Sequence, residues 1–319
     1  MAKVSICVPT YNNPTDVDRL LKSVMTQTYT DYEVLISDDS TDDKVCSVVE
    51  KYKADPDFGS DIKYIHNRKP LGHVYNWNAA IKMATGDYIK IMFSDDWFTF
   101  NDSLEKLVNM LDTNPECDLA FSSSRQVILD GNELKNLQHV TREHAVTSYD
   151  RVLEDGYIDN LRKDYRYMFI SNQIGAPSDS IYRRGANLIL FDEKSGWASD
   201  NFLYMEILSH NPEFVDTPEP LISIGIHGNQ YTEGFSDKDI RVYNDYRYMF
   251  IKYNLKDSYM CRKHMAENFI VKWHKGPSEA LELGIELPLY FKMAIKEFGL
   301  AIKCFTSSRI KRILKTDSK

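Results

Sequence analysis

Short apolar runs and stretches of helical periodicity alternate along the first part of the chain. Val4-Ser5-Ile6-Cys7-Val8 reads as a strand broken by Pro9. Asp16 then opens a helix with Val17, Leu20, Leu21, Val24 and Met25 on one face. The run Tyr32 to Ser37 is a second strand, and Thr41-Asp42-Asp43 caps a helix through Val45, Val48 and Val49. Ile62 to Ile65 reads as a third strand, Tyr75 to Ala84 as a helix ending before Gly86, and Tyr88 to Phe93 as a fourth strand. A helix over 102–112 and a strand from Asp118 to Ser122 follow. Strand and helix in alternation with short links predict a doubly wound, mostly parallel central sheet flanked by helices.

The pattern loosens between about 125 and 190, up to Asp179-Ser180-Ile181-Tyr182-Arg183-Arg184. A helix over 200–209, a Pro-rich link from Asn211 to Pro220 and a strand from Leu221 to Ile226 come next. Beyond about Asp237 the periodicity is helical to the end. This predicts an α/β domain over 1–236, in parts of about 1–125 and 126–236, and a helical C-terminal region over 237–319. The heptapeptide Asp-Tyr-Arg-Tyr-Met-Phe-Ile occurs twice, at Asp164 to Ile170 and Asp245 to Ile251. Its flanks do not match, so it is not a repeat architecture.

Two carboxylate pairs close apolar runs: Asp38-Asp39 and Asp95-Asp96. In open α/β sheets ligands bind beyond the carboxyl ends of strands. Four acids gathered there repel one another unless a cation or a set of donors lies between them. Mg²⁺ or Mn²⁺, shared between carboxylates and a substrate's phosphates, meets that need. The alternative for Asp38 and Asp39 is helix capping with Ser40 and Thr41, and for Asp95 and Asp96 a solvated turn before Trp97.

Composition narrows the classes further. The chain has 319 residues, 43% hydrophobic and 27% charged, enough for a full core. A net charge of −8 argues against a protein that grips nucleic-acid phosphates. Five scattered cysteines show no CxxC spacing, so they suggest neither a zinc nor a redox motif. The first ten residues lack a signal-peptide pattern, and no apolar run approaches the roughly 18 residues of a membrane span. The expectation is a cytoplasmic protein.

Val8-Pro9-Thr10-Tyr11-Asn12, Ile36-Ser37-Asp38-Asp39-Ser40-Thr41-Asp42 and Ala84-Thr85-Gly86-Asp87-Tyr88-Ile89 leading into Phe93-Ser94-Asp95-Asp96 together resemble the inverting family 2 glycosyltransferases of GT-A fold. The resemblance is strong over residues 3–125 and looser over 170–232. It implies that Pro9, Thr10, Tyr11 and Asn12 surround a nucleotide's base and ribose, with Asp39 accepting hydrogen bonds from the base. A UDP-sugar donor is favoured. Ser94 replaces the first acid of the family's Asp-X-Asp motif. By the same resemblance Asp96 is the direct metal ligand, and Asp95 supports the ribose or the metal's water shell. Gly196-Trp197-Ala198-Ser199-Asp200 resembles the segment that carries the catalytic base, which makes Asp200 the match; a helix cap is its other reading. His227, in Ile224-Gly225-Ile226-His227, matches a position that meets the metal or diphosphate, or else is structural. Trp197, and Ser178 in Gly175-Ala176-Pro177-Ser178, match the acceptor side. The acceptor implied is a glycan or lipid-linked sugar.

Rival classes fit less well. A haloacid-dehalogenase-type phosphatase needs Asp where Ser40 stands. A sugar nucleotidyltransferase needs a Gly-rich, basic N-terminal loop, and a dinucleotide oxidoreductase its Gly-x-Gly-x-x-Gly. The sugar nucleotidyltransferase, which is closer in fold, and a non-catalytic nucleotide- or glycan-binding module on the same fold are the remaining alternatives. Finally, Phe291, Ile295, Phe298, Ile302 and Phe305 recur at helical spacing among Lys292, Lys296, Lys303, Arg309, Lys311 and Arg312. Such a helix lies on the inner face of an anionic membrane, or packs against the catalytic domain or a second subunit of a homo-oligomer.

Overall fold

The parallel strands come first in the chain: each βαβ crossover carries it back to the same end of the sheet, so successive strands point the same way. The computed structural model describes residues 3–56, 58, 61–129, 148–227 and 239–299. β1 (Val4–Thr10), α1 (Pro14–Met25), β2 (Tyr32–Asp38), α2 (Lys44–Lys53), β3 (Asp61–His66), α3 (His73–Lys82) and β4 (Tyr88–Ile91) form the N-terminal half. β1 pairs in parallel with both β2 and β4, and β2 with β3. All seven residues of β1 and of β2 are buried, with Val4, Ile6, Val8, Val34 and Ile36 meeting Val17, Leu20 and Leu21 of α1 in one core. Burying each such side chain contributes about 1.5–3 kcal/mol, and that drives the layering.

The second half is β5 (Trp97–Phe98), α4 (Ser103–Thr113), β6 (Leu119–Ile128), β7 (Ser148–Arg151), α5 (Asp155–Lys163), β8 (Ser180–Arg183), α6 (Ser199–His210) and β9 (Phe214–Ile226). Among the described residues these complete a nine-stranded sheet of order β3-β2-β1-β4-β8-β6-β9-β5, with β7 on β6. β8 joins β4 and β6 antiparallel, whereas β6 and β9 run parallel. The result is the mixed GT-A architecture. The stretch Asn211 to Pro220, expected as a link, is mostly strand. Pro218 and Pro220 cannot donate to a ladder, and the β6–β9 register shifts between Ser122, Ser123 and Ser124, where Pro220 pairs.

A buried polar knot locks the Thr85-Gly86 turn to the sheet. Glu33 of β2 accepts from Ser5 Oγ at 2.8 Å, Thr85 N at 2.9 Å, Thr85 Oγ1 at 2.7 Å and Lys63 Nζ at 2.7 Å. Burial alone would raise its pKa, but these donors overcome that and hold it at about 2. A Cβ on Gly86 would lie 2.9 Å from the Lys3 carbonyl and Ser5 nitrogen, so only glycine fits.

Contacts divide the chain into two compact units. Met1–Tyr165, Asn172–Ser195 and Ser199–Phe235 form one; Arg166–Ser171, Gly196–Ala198 and Ser236–Lys319 form the other. The second contains α7 (Ile240–Lys252), α8 (Tyr259–His264), a π-helical segment at Met265–Val271, α9 (Pro277–Glu282) and a helix, α10, over 287–299. Here the repeated heptapeptide gains a physical account. Its first copy supplies the 3₁₀ turn Tyr165–Phe169 and its second lies within α7. Phe169 packs against Tyr246 and Phe250 of the other copy, with ring centroids 5.4 and 5.8 Å apart. Met168, Phe169, Met249 and Phe250 are all buried. One sequence takes two conformations because each copy buries the same Met-Phe pair from a different backbone.

Candidate active site

The β1 loop is tied to both acidic segments. Asn12 has a left-handed backbone, φ 53°. Its N–H donates to Ser40 Oγ at 2.8 Å and its Oδ1 accepts from Thr41 N at 3.0 Å. Thr10 Oγ1 donates to Asn13 Oδ1, and Asn13 Nδ2 to Ser94 Oγ, both at 2.6 Å. Thr10 is buried and Tyr11 exposed, so the loop offers an open aromatic face after Pro9.

The first carboxylate pair is not a helix cap. α2 begins at Lys44, whose N–H is met by Asp42. Asp38 accepts from Ser40 N at 2.8 Å and from the Tyr64 hydroxyl at 2.7 Å. Asp39 accepts from Asn67 Nδ2 at 2.8 Å through Oδ1, and from Leu71 N at 2.8 Å and Gly72 N at 2.9 Å through Oδ2. Gly72 adopts φ 89°, a conformation only glycine takes easily, and this turns both N–H groups toward the carboxylate. Three of the four acceptor positions of Asp39 are filled, leaving one on Oδ1.

The second pair divides between interior and surface. Asp96 is buried: Gly225 N donates to its Oδ1 at 3.3 Å and the Ser178 hydroxyl also donates to it. Burial, then the charge of Asp95, pushes its carboxyl well above the ordinary carboxylate range. Asp95 is part-exposed, and its Oδ2 lies 3.1 Å from His227 Nε2. Gly225 permits this approach, because a Cβ there would come within 2.4 Å of the Asp95 carbonyl. Asp96, expected to meet a cation, therefore faces inward, and Asp95 stands beside His227. Among the described residues no group of three His, Cys, Asp or Glu has metal-holding geometry. Asp95 and His227 nonetheless form an oxygen–nitrogen donor pair with accessible surface, a set that suits Mn²⁺ or Mg²⁺ completed by water and phosphate oxygens.

Behind this pair lies a charged group that sequence reasoning misses. Lys90 of β4 is fully buried, and its ammonium donates to the carbonyls of Ser178 and Ser180. Burial lowers its pKa to about 7. Asp179, also buried, pairs with Arg151 Nη2 at 2.8 Å, and burial raises it to about 6. Ser178 Oγ accepts from Phe93 N at 3.0 Å, which joins the Pro177–Asp179 turn to the strand end that carries Asp95. The available signal is a lysine inside the apolar run Tyr88 to Phe93. Asn76 and Asn78 of α3 are a second omission. Asn76 donates to the Thr10 carbonyl, and Asn78 clamps both backbone polar groups of Phe191 at 2.9 Å.

Asp200 lies inside the first turn of α6 rather than at its cap. The side chain keeps a part-exposed edge, but protein surrounds the rest. Burial, then the charge of Asp179, raises its pKa to about 7. In the helical unit, the Asp245 carboxylate accepts from Gly196 N at 3.0 Å and Ala198 N at 2.8 Å. Trp197 between them is part-exposed. His227 is the last described residue before Gly228-Asn229-Gln230, which lie outside the described residues.

Mixed sheet, flanking helices and acidic strand ends define a GT-A-type protein. The chain belongs to the family 2 glycosyltransferases: residues 5–188 match the family model Glycosyl transferase family 2. Over 97 residues it is 33% identical to a GalNAc(5)-diNAcBac-PP-undecaprenol beta-1,3-glucosyltransferase of Campylobacter jejuni, covering 30% of each chain. It is 31% identical over 135 residues to abequosyltransferase RfbV of Salmonella typhimurium, 42% of this chain and 39% of that one. The match thus spans about a third of such relatives' length. Two solved structures share the fold. S. aureus TarS 1-349 with UDP-GlcNAc has TM-score 0.59 and 19% identity, over 91% of this chain and 79% of that one. Mannosyltransferase PcManGT from Pyrobaculum calidifontis with GDP-Man and Mn²⁺ has TM-score 0.59 and 17% identity, over 97% and 82%.

Proposed function

We propose that the chain transfers a sugar from a nucleoside-diphosphate donor, UDP-linked by preference, to an acceptor hydroxyl with inversion. The acceptor is a glycan or lipid-linked sugar in cell-surface polysaccharide assembly, at the inner face of the membrane. Among the described residues no helix is long and apolar enough to cross a membrane. The observation that carries the reading is the place of Asp200, in the first turn of α6 and near enough to buried Asp179 to feel its charge, where burial raises its pKa to about 7. A general base is most effective with a pKa near the working pH. Asp200 takes the proton as the acceptor oxygen bonds the anomeric carbon, and the diphosphate leaves from the opposite face in one displacement.

The remaining residues hold the donor. Pro9, Thr10, Tyr11 and Asn12 flank the base and ribose, and Asp39 offers its remaining acceptor position to the base while fixing the Leu71-Gly72 backbone. Asp95 and His227 would hold Mn²⁺ or Mg²⁺, with Asp96 as a buried support behind them. A bound cation supplies positive charge where the departing diphosphate accumulates negative charge. Ser178, fully buried, supports the site from behind through its bonds to Asp96 and Phe93 N rather than facing an acceptor.

The test is a donor screen that follows nucleoside-diphosphate release from uridine-, guanosine- and thymidine-linked sugars with Mn²⁺ or Mg²⁺ present. Release from one nucleotide class, accelerated by an acceptor sugar and abolished by chelator, is the expected result. Binding without turnover across all donors would identify a non-catalytic module instead.

A further inference from the structure

Helix α10 has two apolar faces, and only one is used inside its own unit. Leu289 and Met293 are buried. Phe291, Ile295 and Phe298 remain 50%, 71% and 69% exposed. Their spacing of four and three puts them on one side of the helix, in a stripe about 10 Å long. Three large exposed apolar side chains in a row on a soluble surface mark a site of association.

Charge selects the occupant. Lys292 is exposed and flanks the stripe, whereas Lys296, further round the helix, pairs with Glu267. The sequence from 300 to 319 holds six of the chain's 39 basic residues and one of its 47 acids, although the whole carries −8. A symmetric contact with a second copy would bring the same cations face to face, which is unfavourable. An anionic surface offers the opposite charge together with an apolar layer. We propose that the Phe291–Ile295–Phe298 stripe docks on an anionic lipid bilayer, with α10 lying in the interfacial plane and Lys292 directed at the headgroups. This deepens the peripheral location in the proposed function but does not depend on the chemistry of Asp200.

The test uses the full chain and vesicles of phosphatidylcholine alone or mixed with phosphatidylglycerol. Wild type should sediment with the anionic vesicles only, and the bound fraction should fall at ~0.5 M salt, where charges are screened within a few ångströms. The triple variant Phe291→Ser, Ile295→Ser, Phe298→Ser should partition at least about tenfold less. Its melting temperature should match wild type, since these side chains are exposed, and its donor turnover in solution should be unchanged. Equal partitioning of variant and wild type, or binding to neutral and anionic vesicles alike, would overturn the proposal. So would a lipid-free dimer in light scattering that the variant dissociates, because the stripe would then be a subunit interface. A transferase that fails the donor screen yet binds anionic vesicles would leave this inference standing.

Discussion

Asp95 Oδ2 and His227 Nε2 meet at 3.1 Å although 132 positions separate them in the chain. Their meeting depends on the antiparallel β5–β9 pairing, Trp97 opposite Ser223, which carries the end of β9 past the Asp95 backbone, and on Gly225, which has no Cβ to block that approach. Asp96, next in sequence to Asp95, is turned the other way. The two acids therefore differ in what they can do, and mutation separates them.

If Asp95 and His227 hold the cation, Asp95→Asn should remove the metal-dependent part of UDP binding measured by calorimetry with and without chelator. Asp96→Asn should weaken it less, because an amide can still accept from Gly225 N. The reverse order would make Asp96 the direct ligand.

Asp39 anchors the backbone N–H groups of Leu71 and Gly72, and is the contact proposed for the nucleotide base. Asp39→Asn puts a donor either against both Leu71 N and Gly72 N, which share Oδ2, or against Asn67 Nδ2 on Oδ1. Losing a charge-assisted bond costs about 1.5–3 kcal/mol, so donor affinity should fall by tenfold or more. Amide exchange at Leu71 and Gly72 should quicken in the same variant. Unchanged affinity with faster exchange would confine Asp39 to the loop.

Much of the fold and site is legible in the sequence alone. β1, β2 and β4 declare themselves because their apolar residues are contiguous, as befits strands buried on both faces. Asp38, Asp39, Asp95 and Asp96 stand out as acids at the ends of such runs. What is not legible depends on distant partners. The strand character of Phe214 to Pro220 exists only because β6 shifts register opposite the prolines. Lys90 reads as an interruption of an apolar run, and only the Ser178 and Ser180 carbonyls around it account for its place there. The inward turn of Asp96 needs Ser178 and Gly225, neither of them near it in sequence. The pairing of the two heptapeptides is likewise tertiary, since Phe169 finds Tyr246 and Phe250 through space. Ile302 and Phe305 of the C-terminal stripe lie outside the described residues.

Asp200 should make the protein less stable as pH rises. Folding raises its pKa from 3.8 to about 7, so the folded chain holds the proton more tightly than the unfolded one. Its contribution is fullest below 3.8 and is lost progressively as pH climbs through about 7. Asp179, raised to about 6, acts in the same direction. Asp200→Asn stays neutral throughout, so its Tm relative to wild type should increase between about pH 4 and pH 8. A wild type as stable as the variant at the upper end would mean that Asp200 is better solvated than its surroundings indicate.

The same variant decides the central claim when turnover and donor affinity are measured in one preparation. With Asp200 as the base, Asp200→Asn should lower turnover by about 10²–10⁴-fold and leave donor affinity near wild type. Wild-type kcat/KM should rise with pH through about 7, a limb the variant lacks. A loss of less than about tenfold, roughly 1.4 kcal/mol of barrier, with the pH limb retained, would contradict the account and put the base elsewhere.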